Sequence, residues 1–239
     1  MKPNNPARKS VVNTVLILLA GVMIPLSGCT TLREGGDLPE PVVSPEVADP
    51  WRQDLTIFER ELPRRHYDLF HNVAPAEFSR MVAELNEVAP TLTAAQFDLE
   101  LRKILAAVGD SHTDLGWQPK RVYPLELYSV QEGVICVSAR RTEAEALGMR
   151  LVAVNGMPLD QVRQRFETII PHENEAQLDN VFPVYLLSPD FLHLLGVTPG
   201  ADRASFTFLD LQGDRFTIVL QPVAPENRPG FVRLAESLG

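Results

Sequence analysis

The chain has 239 residues, 45% of them hydrophobic, with 31 acids against 22 Lys and Arg and a formal net charge of −9. That length is enough for one large domain or two small ones. The acidic balance argues against partners that need a cationic surface, nucleic acid and anionic lipid among them.

The N-terminus departs from this balance. Lys2, Arg8 and Lys9 come without an acid and precede an apolar run from Val11 to Pro25, broken only by Asn13 and Thr14. This is a charged n-region and an h-region too short to span a bilayer comfortably. The run ends in Leu26-Ser27-Gly28-Cys29, which resembles the bacterial lipobox: an apolar residue, two small residues, then a cysteine. The resemblance implies that residues 1–28 are a lipoprotein signal peptide and that Cys29 is lipidated, becomes the new N-terminus and anchors the protein to a membrane through two acyl chains. The plainer alternative is an ordinary secretory signal that ends near a cysteine. Thr30 rather than Asp after the cysteine favours, by the sorting rule of such proteins, the periplasmic side of the outer membrane. Loss of residues 1–28 leaves 19 cations against 31 acids, a formal −12. Cys136 is then the one free thiol, and Val134, Ile135 and Val137 around it point to burial.

Residues 29–50 read as a flexible spacer, punctuated by Gly35, Gly36, Pro39, Pro41, Pro45 and Pro50. Residues 51–118 read as a helical domain. Trp51, Leu55, Phe58 and Leu62 mark one helix face, ended by Pro63. Phe78, Met81, Val82, Leu85 and Val88 mark a second helix, with Pro75 near its start and Pro90 after it. The third helix has the clearest start: Thr93 and Gln96 form a capping box, with Leu92 and Phe97 at the staple positions. Its buried face is Phe97, Leu101, Ile104, Leu105 and Val108, and Gly109 supplies a left-handed exit.

After Pro119 the pattern becomes β-rich. Tyr123–Val130 and Val134–Ala139 are strand-like, and Arg150–Val154 is a short strand stopped by Asn155-Gly156, a strong turn dipeptide. Pro158 opens a helix with Leu159, Val162, Phe166 and Ile169 on one face. Residues 174–196 are helical or irregular, interrupted by Pro183 and Pro189. Ala204–Leu211 and Asp214–Gln221 form a hairpin across Gln212-Gly213, and the tail from Pro222 has no further strand. The fold class is α+β: a three-helix segment followed by a β-rich module, residues 119–223, with a helical insertion, and a tail over 224–239.

The residues that carry chemistry cluster at Gly109-Asp110-Ser111-His112-Thr113, directly after the capped helix. The block puts a hydroxyl, an imidazole and a carboxylate in a tight helix exit, where the last helical carbonyls favour a protonated imidazole. A poised His can serve as general base for a nucleophile supplied from elsewhere. The alternative is a polar cap that satisfies the helix's orphan carbonyls.

This block and its surroundings resemble the tail-specific, or C-terminal processing, serine peptidases, most closely their tricorn-core branch. Trp51, Asp54 and Leu55 fit that group's Trp-x-x-Asp-Leu start, and Arg65 to Phe70 fit the following loop. Gly148 to Gly156 match the G-x-R-L-V-A-V-N-G strand and turn of its PDZ-like module, and Tyr185-Leu186 and Leu194-Leu195-Gly196 also fit. The likeness covers residues 51–222. It implies that His112 is the general base and that Ser111 orients it or is its hydrogen-bonded neighbour. It also implies that the nucleophilic serine and a glutamate lie in a following αβ domain after a Gly-Gly-Asn-Ser-like turn. The sequence to Gly239 has no such turn, and Ser237 has neither flanking glycines nor a following helix. The expectation is therefore the non-nucleophilic portion of a peptidase, inactive alone and with no cofactor. Its expected partners are a membrane through the anchor, a peptide C-terminus, or a chain carrying the missing catalytic domain.

Two rival readings remain open. A PDZ-like module binds a peptide as an added strand and captures its carboxylate, which makes a peptide-binding or peptidase-regulating lipoprotein. Alternatively, Gly109-Asp110-Ser111 resembles the nucleophile block of GDS-type esterases and Asp190-Phe191-Leu192-His193 their late Asp-x-x-His block. The implied triad is Ser111, His193 and Asp190, although the Gly-x-Asn-Asp oxyanion block is missing. His193 otherwise packs on Leu192, Leu194 and Leu195. His66 and His71, five apart, fit a metal pair poorly, no metal is expected, and His172 reads as a solvated loop residue.

Overall fold

The computed structural model describes residues 45–226 and 231–234. The expected signal peptide, the Cys29 lipidation site and most of the spacer lie outside the described residues. Among the described residues no helix is long and apolar enough to cross a membrane.

The fold is α+β, with helices followed by an antiparallel sheet. Helix α1 spans Pro45–Arg65. It begins six residues ahead of the expected start, inside the stretch read as spacer, because proline is well suited to a first helical turn. Pro63 does not end it: the helix runs on to Arg65 and His66 N–H closes it on Leu62 O at 3.0 Å. A proline so near the C-terminus removes one backbone bond without having to break the helix. Helix α2, Pro75–Val88, buries Phe78, Val82 and Leu85, and a short 3-10 turn, Ala89–Thr91, leads to α3, Ala94–Val108. At the α3 start the Thr93 hydroxyl accepts from Gln96 N–H and the Gln96 side chain accepts from Thr93 N–H, the reciprocal pair expected from sequence. Trp51 of α1 stacks on Phe97 at 4.5 Å between centroids.

Strands β1, Leu125–Val130, and β2, Gly133–Arg140, form a hairpin. Then come a 3-10 segment, Arg141–Ala146, β3 at Arg150–Val154 and the two-residue β4, Met157–Pro158. Asn155 (φ 50°) and Gly156 (φ 77°) are both left-handed, as a two-residue primed hairpin turn demands. Helices α4 (Leu159–Glu167), α5 (Glu175–Tyr185) and α6 (Pro189–Leu194) follow, then β5 (Ala204–Leu209) and β6 (Arg215–Leu220). Sheet order is β1-β2-β3-β5-β6.

Two further expectations are corrected. Pro183 lies inside α5 rather than interrupting 174–196. The carbonyl its missing N–H would have bonded, Asp179 O, accepts instead from the Ser129 hydroxyl at 2.5 Å, so the proline leaves no orphan acceptor. The tail also does contain a strand: β7, Phe231–Arg233, pairs antiparallel with Ser138–Arg140. It takes the edge of β2 that β3, paired there only at Ile135–Arg150, leaves open. An unpaired stretch of that edge would expose backbone donors and acceptors.

Two apolar clusters result. One joins Leu55, Leu69, Val73, Phe78, Val82, Leu85, Ile104 and Val108 between the helices. The other packs the sheet against α4–α6, around Tyr123, Phe166, Phe182, Phe206 and Phe208. Helix α3 belongs to both, because Leu99 enters the sheet cluster while Ile104 and Val108 enter the helical one. Cys136 is fully buried, as its neighbours imply, and burial pushes its thiol up to about 12.

Candidate active site

The Gly109–Thr113 loop leaves α3 through Gly109, whose φ of 74° is left-handed. A Cβ there would come within 2.9 Å of Asn72 Nδ2, so glycine is required on two counts. Asn72 donates to Ala107 O at 3.1 Å and caps that orphan carbonyl. That carbonyl is therefore capped from outside the Gly109–Thr113 block.

Asp110 organises the loop. Its Oδ2 accepts from Thr113 Oγ1 at 2.6 Å and pairs with His66 Nε2 at 2.8 Å, and its Oδ1 accepts from His112 N–H at 3.0 Å. The Thr113 hydroxyl first, then the His112 amide and His66, hold this carboxyl well below the usual carboxylate range despite partial burial. The backbone N–H of Asp68 donates to His66 Nδ1 at 3.1 Å. That fixes the tautomer: Nδ1 is the acceptor, so Nε2 carries the proton given to Asp110.

Ser111 and His112 come next. The Ser111 hydroxyl donates to Glu173 Oε1 at 2.9 Å, and its backbone N–H donates to the same oxygen at 3.1 Å. Those two bonds, backbone first, hold Glu173 below the usual carboxylate range. Ser111 Oγ also lies 3.3 Å from His112 Nδ1, which is 3.5 Å from Asp110 Oδ1. The His112 side chain is 91% exposed, and among the described hydrogen bonds its Nε2 has none. The imidazole is thus held on its Nδ1 side and open on its Nε2 side.

The far end of the loop is clamped by Arg102, buried to 4% exposure in α3. Its guanidinium donates to Asp98 (2.8 Å), Asp114 (3.2 Å) and Gly116 O (2.6 Å), and lies 5.2 Å from the Phe191 ring centroid. Tyr185 donates to the other Asp114 oxygen at 3.0 Å, its own hydroxyl pushed up to about 12, mainly by burial.

The sequence pointed to Ser111 and His112, and the two are in contact. It missed His66, Arg102 and Glu173. Glu173 is 62 residues from Ser111 and no local pattern marks it. Arg102 left a faint trace in its i,i+4 spacing from Asp98.

The esterase triad is not assembled among the described residues. Asp190 pairs with Arg121 at 3.5 Å, His193 Nδ1 meets Thr198 O at 3.2 Å, and Ser111 bonds Glu173. His193 is exposed rather than packed on its leucine neighbours, and His172, expected to be solvated, is half-buried with Nδ1 2.7 Å from Ile170 O. His66 and His71 stack with centroids 6.4 Å apart. Asp110, His112 and Glu173 offer possible metal-ligand atoms within 4.8 Å of one another. The Asp110 oxygens are already engaged by Thr113, His66 and the His112 amide, so an ion there would have to displace existing bonds.

No family model and no curated protein matches this sequence. Among solved structures, the chain is similar to a mutant of CPAF, with a TM-score of 0.52 and 16% identity over 75% of this chain and 34% of that one. It is also similar to mature CPAF (TM-score 0.49, 15% identity) and to mature CPAF complexed with lactacystin (0.49, 14%), each over 74% of this chain and 35% of that one. The chain spans about a third of the length of the structures it matches. The likeness is one of fold.

Proposed function

We propose that this chain is the portion of a lipid-anchored, tail-specific-type serine peptidase that supplies the general base, His112, and not the nucleophile. The GDSHT block and the Gly148–Gly156 segment favour the tricorn-core branch of that group. The observation that carries this reading is the His112 ring: tethered through Nδ1 to Ser111, unbonded at Nε2 among the described residues, and exposed on a loop fixed at both ends. A hydroxyl brought to Nε2 from outside the described residues gives its proton to the imidazole as its oxygen attacks the peptide carbonyl carbon. The imidazolium then passes that proton to the departing amine, leaving an acyl-enzyme for water to hydrolyse. Ser111 is a poor nucleophile in this arrangement, since its own proton is committed to Glu173 rather than to the ring.

In this reading the chain alone does not cleave peptides. Purified protein incubated with unstructured peptides bearing apolar C-termini gives no turnover. Turnover arises when a partner carrying the nucleophile domain is added, and His112→Ala removes it. Turnover by the chain alone that His112→Ala abolishes would overturn the division of labour. The anchor is a separate component of the proposal. Intact-mass analysis of membrane-extracted protein shows diacylglyceryl-modified Cys29, and Cys29→Ala releases the protein from the membrane fraction; an unmodified cysteine removes this component.

A peptide-binding role is the second reading. A cleft of about 440 Å³ lies between the β1–β2 turn, β3 and helices α4 and α5, lined by Val130, Val134, Leu151, Leu159 and Phe182 with Arg150 at its side. Arg163 in the same cleft is paired with Glu175 and Asp179, whereas Arg150 has no ion pair among the described residues. An apolar groove beside an unpaired cation suits a chain end with an apolar side chain and a free carboxylate. Binding of such a peptide, weakened by C-terminal amidation and by Arg150→Ala, supports this reading; equal binding of acid and amide forms speaks against it.

A further inference from the structure

We propose that Glu173 is a positioning residue that sets the tautomer of His112 through Ser111, an inference that rests on the reading of His112 as the base. The Ser111 hydroxyl has a single proton, and it points to Glu173 Oε1 at 2.9 Å. A hydroxyl that donates in that direction presents only lone pairs to its other neighbour. That neighbour is His112 Nδ1, 3.3 Å away, so Nδ1 must be the ring nitrogen that carries hydrogen. The Asp110 oxygen 3.5 Å from Nδ1 is also an acceptor and agrees with the same assignment. Nε2 is then left bare on the exposed side of the ring, the state a general base needs. Without the carboxylate, the Ser111 hydroxyl is free to turn and donate to Nδ1, which moves the ring proton to Nε2 and blocks that base.

The carboxylate is suited to this role. Its double acceptance from Ser111 keeps it ionised, and Glu173 N–H is itself anchored on Gln177 Oε1 at 3.0 Å, at the first turn of α5. It is the one contact with the Ser111–His112 pair that the region beyond β1 supplies among the described hydrogen bonds, 62 residues away in sequence. Ser111 and Glu173 together therefore register the helix-exit loop against the sheet side of the protein. His112 being mostly exposed, solvent imposes no tautomer of its own beyond the intrinsic preference of imidazole for hydrogen on Nε2.

The test is the ring ¹⁵N spectrum of His112 in the full chain at a pH of about 9, above the ordinary imidazole range. The wild type shows a pyrrole-type Nδ1 and a pyridine-type Nε2 as the major form. Glu173→Ala and Ser111→Ala make the Nε2–H form the major one, whereas Glu173→Gln, whose amide oxygen can still take the Ser111 proton, retains the wild-type form. Glu173 is exposed, and superimposable amide spectra away from the loop show that the variants are folded. A wild-type ring with hydrogen on Nε2, or a ring unchanged in Glu173→Ala, overturns the inference, the latter assigning the tautomer to Asp110. The spectrum requires no turnover. The expected tautomer response in a protein whose partner-dependent turnover ignores His112→Ala would sink the proposed function and leave this inference standing.

Discussion

The helical region and the sheet region hold the Gly109–Gly116 loop in different ways. On the helical side Asp110 receives Thr113, His66 and the His112 amide, and Arg102 grips Asp114 and Gly116. All of these bonds except that of the His112 amide are partly buried, so they gain from the lower local dielectric. On the sheet side Tyr185 donates to Asp114 farther along the loop, and what meets Ser111 is an exposed carboxylate, Glu173. The difference separates position from orientation. Where the loop lies is fixed by the buried network, while the direction of one hydroxyl, and with it the state of the imidazole, depends on one solvent-facing group that contributes little to stability.

The largest effects that sharpen this comparison are in the two cores. Phe78→Ala in the helical cluster and Phe206→Ala in the sheet cluster each cost about 3–5 kcal/mol. Because α3 contributes to both clusters, a single urea transition moves in each case; two separate transitions in Phe78→Ala would show that the regions unfold independently. Arg102→Ala costs roughly 1.5–3 kcal/mol, since it removes a buried guanidinium's bonds to Asp98, Asp114 and Gly116 O and its packing over the Phe191 ring. A midpoint shift worth less than about 1 kcal/mol would mean that the far end of the loop is held by something else.

Asp110 gives a smaller, pH-dependent signature. Its carboxyl is depressed in the folded state, so it stabilises the protein fully above its ordinary value, and that contribution is lost as pH falls below about 4 toward the folded value. The wild type therefore loses stability more steeply than Asp110→Asn in thermal melts taken stepwise down from pH 5. Parallel slopes would remove Asp110 from the centre of the network. Thr93→Ala, at the other end of α3 and away from the site, costs about 1 kcal/mol and leaves the His112 ¹⁵N spectrum untouched. A change in that spectrum would show that the loop is tied to the whole helix rather than to its exit.

Much of the fold was legible from local rules. The Thr93–Gln96 capping box, the left-handed Gly109 and the Asn155-Gly156 turn each depend on residues within a few positions of one another, and each appears where the sequence puts it. Elements that failed depended on distant partners. Pro183 reads as a breaker until Ser129, more than fifty positions earlier, is seen to take the freed carbonyl. The strand at Phe231–Arg233 is too short to announce itself and exists because β2 has an edge to offer.

The same division runs through the site. The sequence by itself determined a helix exit bearing a serine, a histidine and an aspartate, because glycine chirality and capping chemistry act between neighbours. Only the tertiary structure decided that Asp110 faces His66, that Arg102 is buried beneath the loop, and that Glu173 takes the Ser111 proton. A hydrogen bond has a direction and a reach of about 3 Å, and no pattern of residue types along a chain states which distant carboxylate will be brought within it.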